Sequence, residues 1–429
     1  MKVSFEPFRE FTTMAKRRLR PMVLVWWALK AQLKPKLKTD VFRSGKKKRA
    51  LLCYLLDAAD MRDSDPRLRG HANWWRGREL ARILDSLGYS VDVIASGDGA
   101  TIPPYQYDLI FDASSNIPRL APFQKKETRF VLFLTGSYYG WSSSAEMRRI
   151  LDFETVHGVF YEPRYGRQPK VLMDKALAMA DLALLVGNET TLRTYPDWAR
   201  KNMRTVHMPT SFIEHRKRFS NRSDTFLYYS SARNVLKGLD LLFDVFIEHP
   251  EWMLLVVGPV ESTEADFFQA YPDVSKHDNI QLLGSMNPSS ARFAEVLDRC
   301  DAFLLPSCSE GASSSALTCC RAGIYPILSR NSGVDLVDGT GIWIESLTKS
   351  GVETAIESFR RKEWSEVARE AEVIRNDIEA KHSRAAFTEE MTGILAELDK
   401  SPLARRTPVS THAWLNGLSP EVAKSRIFS

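Results

Sequence analysis

The sequence predicts an α/β protein built as two Rossmann-like domains, each a parallel sheet covered by helices on both faces, facing each other across a cleft. Three observations carry this. Short apolar runs alternate with segments of helical period along most of the chain. One polar, basic and aperiodic stretch at residues 209–224 (P-T-S-F-I-E-H-R-K-R-F-S-N-R-S-D) interrupts the alternation, as an exposed connector between domains does. The length, 429 residues with 44% apolar side chains, exceeds what a single core usually covers.

The elements follow in order. Residues 50–56 (A-L-L-C-Y-L-L) form the first buried strand, and a polar loop then leads to His71. Residues 74–87 repeat apolar positions at helical spacing until Gly88 stops them. Strands follow at 90–94, 108–112 and 130–134, the last running into T-G-S-Y-Y-G-W. Helices near 144–153 and 170–180 precede a strand at 182–186 that ends in G-N-E-T-T. Beyond the connector, strands at 226–229, 253–257, 280–283, 302–305 and 325–328 alternate with helices at 238–248, near 263–270, near 290–299 and at 315–322. Residues 351–382 read as two more helices and 386–398 as a last one. Alternation of this kind implies right-handed crossovers between parallel strands. The expected division is a basic amino-terminal arm (1–49), an amino-terminal domain (50–208), the connector (209–224), a carboxy-terminal domain (225–385), and a terminal helix and tail (386–429) that returns toward the first domain.

Charge is unevenly placed. Residues 1–50 carry 15 Lys or Arg against 3 Asp or Glu, whereas the remainder is mildly acidic. Within the arm, residues 22–29 (M-V-L-V-W-W-A-L) lie between two basic runs. Eight apolar residues fall far short of the roughly 20 that span a bilayer, and no small-residue cleavage site follows. A helix on an anionic membrane surface and a solvated extension that packs Trp26 and Trp27 both fit. No basic stripe elsewhere suggests nucleic acid. The five cysteines are odd in number and lack C-x-x-C spacing, which argues for a reducing compartment and against a disulfide framework or a zinc site.

The richest chemistry lies at residues 301–341, where an apolar run ends in P-S-C-S-E-G-A-S-S-S and enters a helix. A loop leaving a strand and starting a helix presents free backbone N–H groups, and in an open parallel sheet ligands bind at that edge. Glu310 stands among small residues that leave space for a ligand. Arg233 and Lys237 follow another strand end and can reach the same cleft.

These residues resemble GT-B glycosyltransferases of family 4. P-S-C-S-E-G at 306–311, R-A-G-I-Y-P-I-L at 321–328, S-G-V-D-L-V-D-G-T-G at 332–341 and S-A-R-N-V-L-K-G-L-D-L-L at 231–242 are similar to that family's ordered motifs. The resemblance is close from Phe226 to His382; in the amino-terminal half it is one of element order, apart from L-D-S-L-G-Y-S-V-D-V-I at 84–94. It implies that a nucleotide diphosphate sugar binds in the cleft as donor substrate, with no other cofactor and no metal. Glu310, Lys237 and Arg233 are the implied catalytic residues, and Gly311, Ala312, Ser313, Ser314, Ser315, Thr318 and Gly258 the implied donor contacts. Thr318 stands where the family has a second Glu that holds the ribose, and L-T-G-S at 134–137, with Thr135 and Ser137, stands where the family has a His after the fourth strand. His71, Thr135, Gly136 and Asn188 are the expected acceptor or sugar contacts, although a solvated loop His and a plain turn also account for His71 and Asn188. The implied activity is retaining transfer of a hexosyl group to a glycan or glycolipid acceptor in cell-surface polysaccharide synthesis, on the cytoplasmic face of the membrane. The alternatives are a non-catalytic nucleotide- or glycan-binding descendant, and an epimerase or phosphorylase on the same fold.

Overall fold

The computed structural model describes residues 36–401 apart from 71, 164–170, 212, 214, 220 and 259–263. The arm's paired tryptophans, His71 and the tail from 402 lie outside the described residues.

Strands β1 Leu37–Lys38, β2 Lys48–Tyr54, β3 Tyr89–Ala95, β4 Leu109–Asp112, β5 Arg129–Leu134, β6 Leu182–Val186 and β7 Met203–Val206 form a sheet in the order β1-β3-β2-β4-β5-β6-β7. Only β1 is antiparallel to its neighbour. A second sheet holds β8 Thr225–Tyr229, β9 Met253–Val257, β10 Ile280–Gly284, β11 Ala302–Leu305, β12 Tyr325–Leu328 and β13 Ile342–Trp343, in the order β10-β9-β8-β11-β12-β13 and parallel throughout. The inner strands are continuous runs such as M-L-L-V-V in β9 and A-F-L-L in β11, because helices cover both faces and no side is left for polar alternation.

Each sheet reverses its winding once, between β2 and β4 in the first and between β8 and β11 in the second. Such switch points open a crevice at the carboxyl ends of the strands. The two crevices face each other.

Residues 36–47, read above as the end of the basic arm, are instead fastened to the first sheet, with Leu37–Lys38 pairing against β3. The buried carboxylate of Asp92 in β3 explains the difference. It accepts the Asp40 N–H at 2.8 Å, the Arg49 guanidinium at 2.8 Å and the Tyr107 hydroxyl at 2.8 Å, and so ties the segment down. β7 has no counterpart among the expected elements: M-R-T-V is a partly exposed edge strand with no apolar run to mark it. At the other end, helix Arg384–Lys400 lies against the first sheet. Asp399 accepts the Tyr89 hydroxyl at 2.9 Å and pairs with Lys48, Thr388 donates to Glu79, and Phe387 meets Trp75 edge-on.

Helix Tyr139–His157 joins the two halves. Ala145 packs with Leu236 and Cys308, Ser142 bonds Ser309 at 2.8 Å, and Arg149 forms a buried ion pair with Asp240. All five cysteines are buried free thiols, and none approaches another as a disulfide.

Candidate functional site between the two sheets

A cleft of 760 Å³ lies between the carboxyl ends of the two sheets. The amino-terminal wall is made of Tyr54 at the end of β2 and Leu55 after it, Ser96 after β3, Ala113 after β4, Thr135 after β5, and Ala72, Asn73 and Arg76 from helix Ala72–Ser86. The opposite wall is made of Ser230, Ser231, Arg233, Lys237, Gly258, Ser285, Asn287, Glu310 and the run from Ala312 to Ser315.

Most of the residues singled out from the sequence meet here. Lys237 closes the short helix Asn234–Lys237 and forms an ion pair with Glu310 Oε1, which also accepts the Ser307 hydroxyl at 3.2 Å. Both bonds fall on one carboxylate oxygen, so Oε2 remains available as an acceptor. The lysine ammonium has three N–H donors and gives one to Glu310, leaving two for another anion.

Arg233 has a left-handed backbone, φ 69°, unusual for a residue with a Cβ. Glu264 holds it there: one carboxylate oxygen accepts the Arg233 N–H and the other accepts the Asn234 N–H at 2.9 Å. Tyr161 of the amino-terminal half donates its hydroxyl to the same carboxylate at 2.9 Å. Glu264 thus aims Arg233 and couples it to the other half of the molecule. Sequence reading missed it because it is a buried acid at the start of a predicted helix, outside every motif, with partners distant in sequence.

Gly258 also lines the cleft. Its φ is +119°, and a Cβ there would stand 1.5 Å from the Ser230 carbonyl oxygen, so only glycine lets β8 and β9 end side by side. Ser313 caps helix Ser314–Arg321, its hydroxyl accepting from Ala316 N–H, which sets the N–H groups of the following turn toward the cleft edge as a positive pole. Ala312, Ser314 and Ser315 complete that edge.

Four expected contacts do not line the cleft. Thr318 is buried in the same helix and donates its hydroxyl to the Ser314 carbonyl at 2.7 Å, so its side chain is spent on its own backbone. Gly311 is a packing residue: its carbonyl accepts the Thr191 hydroxyl at 2.9 Å, and a Cβ on it would lie 2.6 Å from the Thr135 carbonyl oxygen. Gly136 lines a separate hollow of 170 Å³ behind Thr135, and its carbonyl accepts the Tyr195 hydroxyl. Asn188 caps helix Glu189–Arg193 and donates to Asp335 at 2.7 Å, a structural bridge between the halves.

Near the cleft, Glu146 of helix Tyr139–His157 is buried with Oε1 unpartnered. Burial pushes its carboxyl up to about 7, with Arg233 opposing the rise and Glu264 adding to it. Among the described residues no group of three or more His, Cys, Asp or Glu is placed to hold a metal ion, and no helix is long and apolar enough to cross a membrane.

Residues 211–366 match the model of the family described as glycosyl transferases group 1. A 109-residue stretch is 30% identical to a GDP-mannose:cellobiosyl-diphosphopolyprenol alpha-mannosyltransferase of Xanthomonas campestris, covering 24% of this chain and 28% of that relative. The chain therefore spans only about a quarter of the length of the curated relatives it matches. Among solved structures, sucrose-phosphate synthase from Thermosynechococcus elongatus superposes with a TM-score of 0.60 at 14% identity, over 82% of this chain and 99% of that one. The HepE protein of Anabaena in complex with UDP-glucose superposes with a TM-score of 0.52 at 13% identity, over 82% and 99%. The architecture is GT-B.

Proposed function

We propose, from the premise that residues 211–366 are a glycosyl transferases group 1 segment on a GT-B fold, that this chain moves a hexosyl group from a nucleotide diphosphate sugar to a glycan or glycolipid acceptor with retention of configuration. The observation that carries the reading is the convergence of Lys237, Arg233 and the start of helix Ser314–Arg321 around Glu310 on one wall of an open interdomain cleft.

The chemistry follows from charge. A sugar leaving with a nucleoside diphosphate builds negative charge on the leaving oxygens, and donors fixed before the reaction stabilise it without reorganising. The two remaining N–H groups of Lys237, the Arg233 guanidinium and the helix start supply them. Oε2 of Glu310 accepts hydroxyl protons of the donor sugar and orients its ring. In this reading the leaving diphosphate helps take the acceptor's proton, and no protein nucleophile is assigned.

Thr318 favours a second reading. With no carboxylate at that position and the hydroxyl bonded to Ser314, the ribose has no acceptor there, as in a descendant that binds nucleotide without transferring sugar.

The direct test is a thermal-shift screen of the full chain against nucleoside diphosphates and their sugars, GDP-mannose and UDP-glucose first, followed by a transfer or donor-hydrolysis assay. Stabilisation with turnover supports transfer. Binding without turnover favours the second reading, and no binding sinks both. The cytoplasmic membrane face and an anionic-surface role for residues 1–49 belong to the same proposal. Vesicle co-sedimentation of the full chain and of a chain lacking residues 1–35 tests the latter, and undiminished binding of the shortened chain would refute it.

A further inference from the structure

Two arginines are buried among the described residues, and they differ in one respect. Arg149 faces the carboxylate of Asp240, whereas Arg76 faces no carboxylate at all among the described residues. The Arg76 side chain, 3% exposed, gives Nε to the Tyr54 hydroxyl at 3.0 Å and Nη2 to the Asn73 side-chain oxygen, both neutral acceptors. Its Nη1 has no hydrogen-bond partner among the described residues. The faces of Tyr54 and Phe133 stand 5.9 and 5.4 Å from the guanidinium carbon and hold its plane in place.

A buried cation without a counter-charge is costly and is retained where a ligand supplies the charge. Arg76 lines the cleft, on the wall opposite Lys237 and Arg233. Helix Ala72–Ser86 adds to the demand: its first residues, Ala72 and Asn73, also line the cleft, and its first turn contains no acid to offset the positive pole. Guanidinium and helix start thus present positive potential at one place, and a planar guanidinium matches a phosphate or carboxylate.

We propose that Arg76 anchors an anionic group, a phosphate or a carboxylate, carried by the acceptor. The assignment rests on the sugar-transfer reading of the cleft, in which the donor's own diphosphate is met by the opposite wall. It narrows the acceptor to a charged molecule, such as a phosphorylated lipid carrier, a sugar phosphate or a uronic acid.

The test is calorimetric titration of inorganic phosphate into the full chain saturated with a nucleoside diphosphate, comparing wild type with R76M and R76K. The expected result is phosphate binding by wild type, weakened roughly 10- to 100-fold in R76M and less in R76K, with nucleoside diphosphate affinity changed by less than about twofold. R76M should melt no lower than wild type, since it removes an uncompensated charge. If R76M weakens the nucleotide instead and leaves phosphate binding intact, the guanidinium serves the donor and the proposal falls. It falls equally if wild type binds no phosphate on the nucleotide-loaded chain, if phosphate binding is unchanged in R76M, or if R76M and R76K both fail to fold. Failure of the underlying reading shows separately, as a wild-type chain that binds no nucleoside diphosphate.

Discussion

The two walls of the cleft are built differently. On the carboxy-terminal wall the charged groups answer one another: Lys237 pairs with Glu310, Glu264 holds the backbone of Arg233, and Glu310 with the run from Ala312 to Ser315 supplies much of the surface. The amino-terminal wall is assembled from residues at the ends of four strands and one helix, and its one buried charge, Arg76, meets only neutral acceptors among the described residues. The first wall is balanced by its own residues. The second leaves its buried charge unmatched by any carboxylate among the described residues, as the proposed division of the cleft between donor and acceptor would require.

The largest test of this contrast is Glu310→Ala. It removes the carboxylate proposed to accept the donor sugar's hydroxyl protons and leaves Lys237 unneutralised, and should lower transfer by about 10²- to 10³-fold, measured as kcat on the donor identified by the thermal-shift screen. A variant with unchanged turnover would break the assignment of the carboxy-terminal wall. Glu264→Ala frees two backbone N–H groups and the Tyr161 hydroxyl together, so it should cost about 3 kcal/mol of stability and lower kcat more than it raises KM. Loss of stability alone would make Glu264 a packing residue rather than the group that aims Arg233.

Glu146 sharpens the comparison through pH. Its carboxyl is raised by burial to about 7 from 4.5, so the folded chain favours the protonated form. That contribution is fully present below about pH 4.5 and is lost as pH rises through 7, so between pH 5 and 8 this one group should cost the fold about 2 kcal/mol. Glu146→Gln should flatten the dependence of the denaturant midpoint over that window and raise the midpoint at pH 8. A variant as pH-sensitive as wild type would place the titration elsewhere. The smallest effect is expected of Thr318→Val: with the hydroxyl bonded only to Ser314, nucleotide affinity should change by less than about twofold, and a large loss would return Thr318 to the donor site.

The same asymmetry decided how much the sequence revealed. Both sheets were legible because inner strands are unbroken apolar runs, and the Glu310 loop because its residues are contiguous. Lys237 and Arg233 were found by their place after β8. Arg76 was hidden inside a helix whose period reads as plain amphipathicity, and only the fold shows that its face turns into the cleft. Glu264 and Asp92 were invisible for a similar reason: each is a buried acid whose partners lie far off in sequence, 31 residues away for the Arg233 N–H and 52 for the Asp40 N–H. Thr318, placed by the resemblance at the position of the family's second Glu, shows the converse, since that position did not bring its side chain to the cleft.

The passage of the chain between the two halves has a mechanical consequence. The connector leaves the first sheet and helix Arg384–Lys400 returns to it at the same place. Thr210 N–H bonds the His382 carbonyl at 2.9 Å, His382 Nδ1 lies 2.8 Å from the Met208 carbonyl, and Glu390 accepts the His207 N–H at 3.0 Å. Two covalent crossings fastened side by side constrain the halves as a pair of door pins does: sliding or twisting one half on the other would break the bonds that hold the crossings together, and a hinge motion about them is the displacement that would spare those bonds.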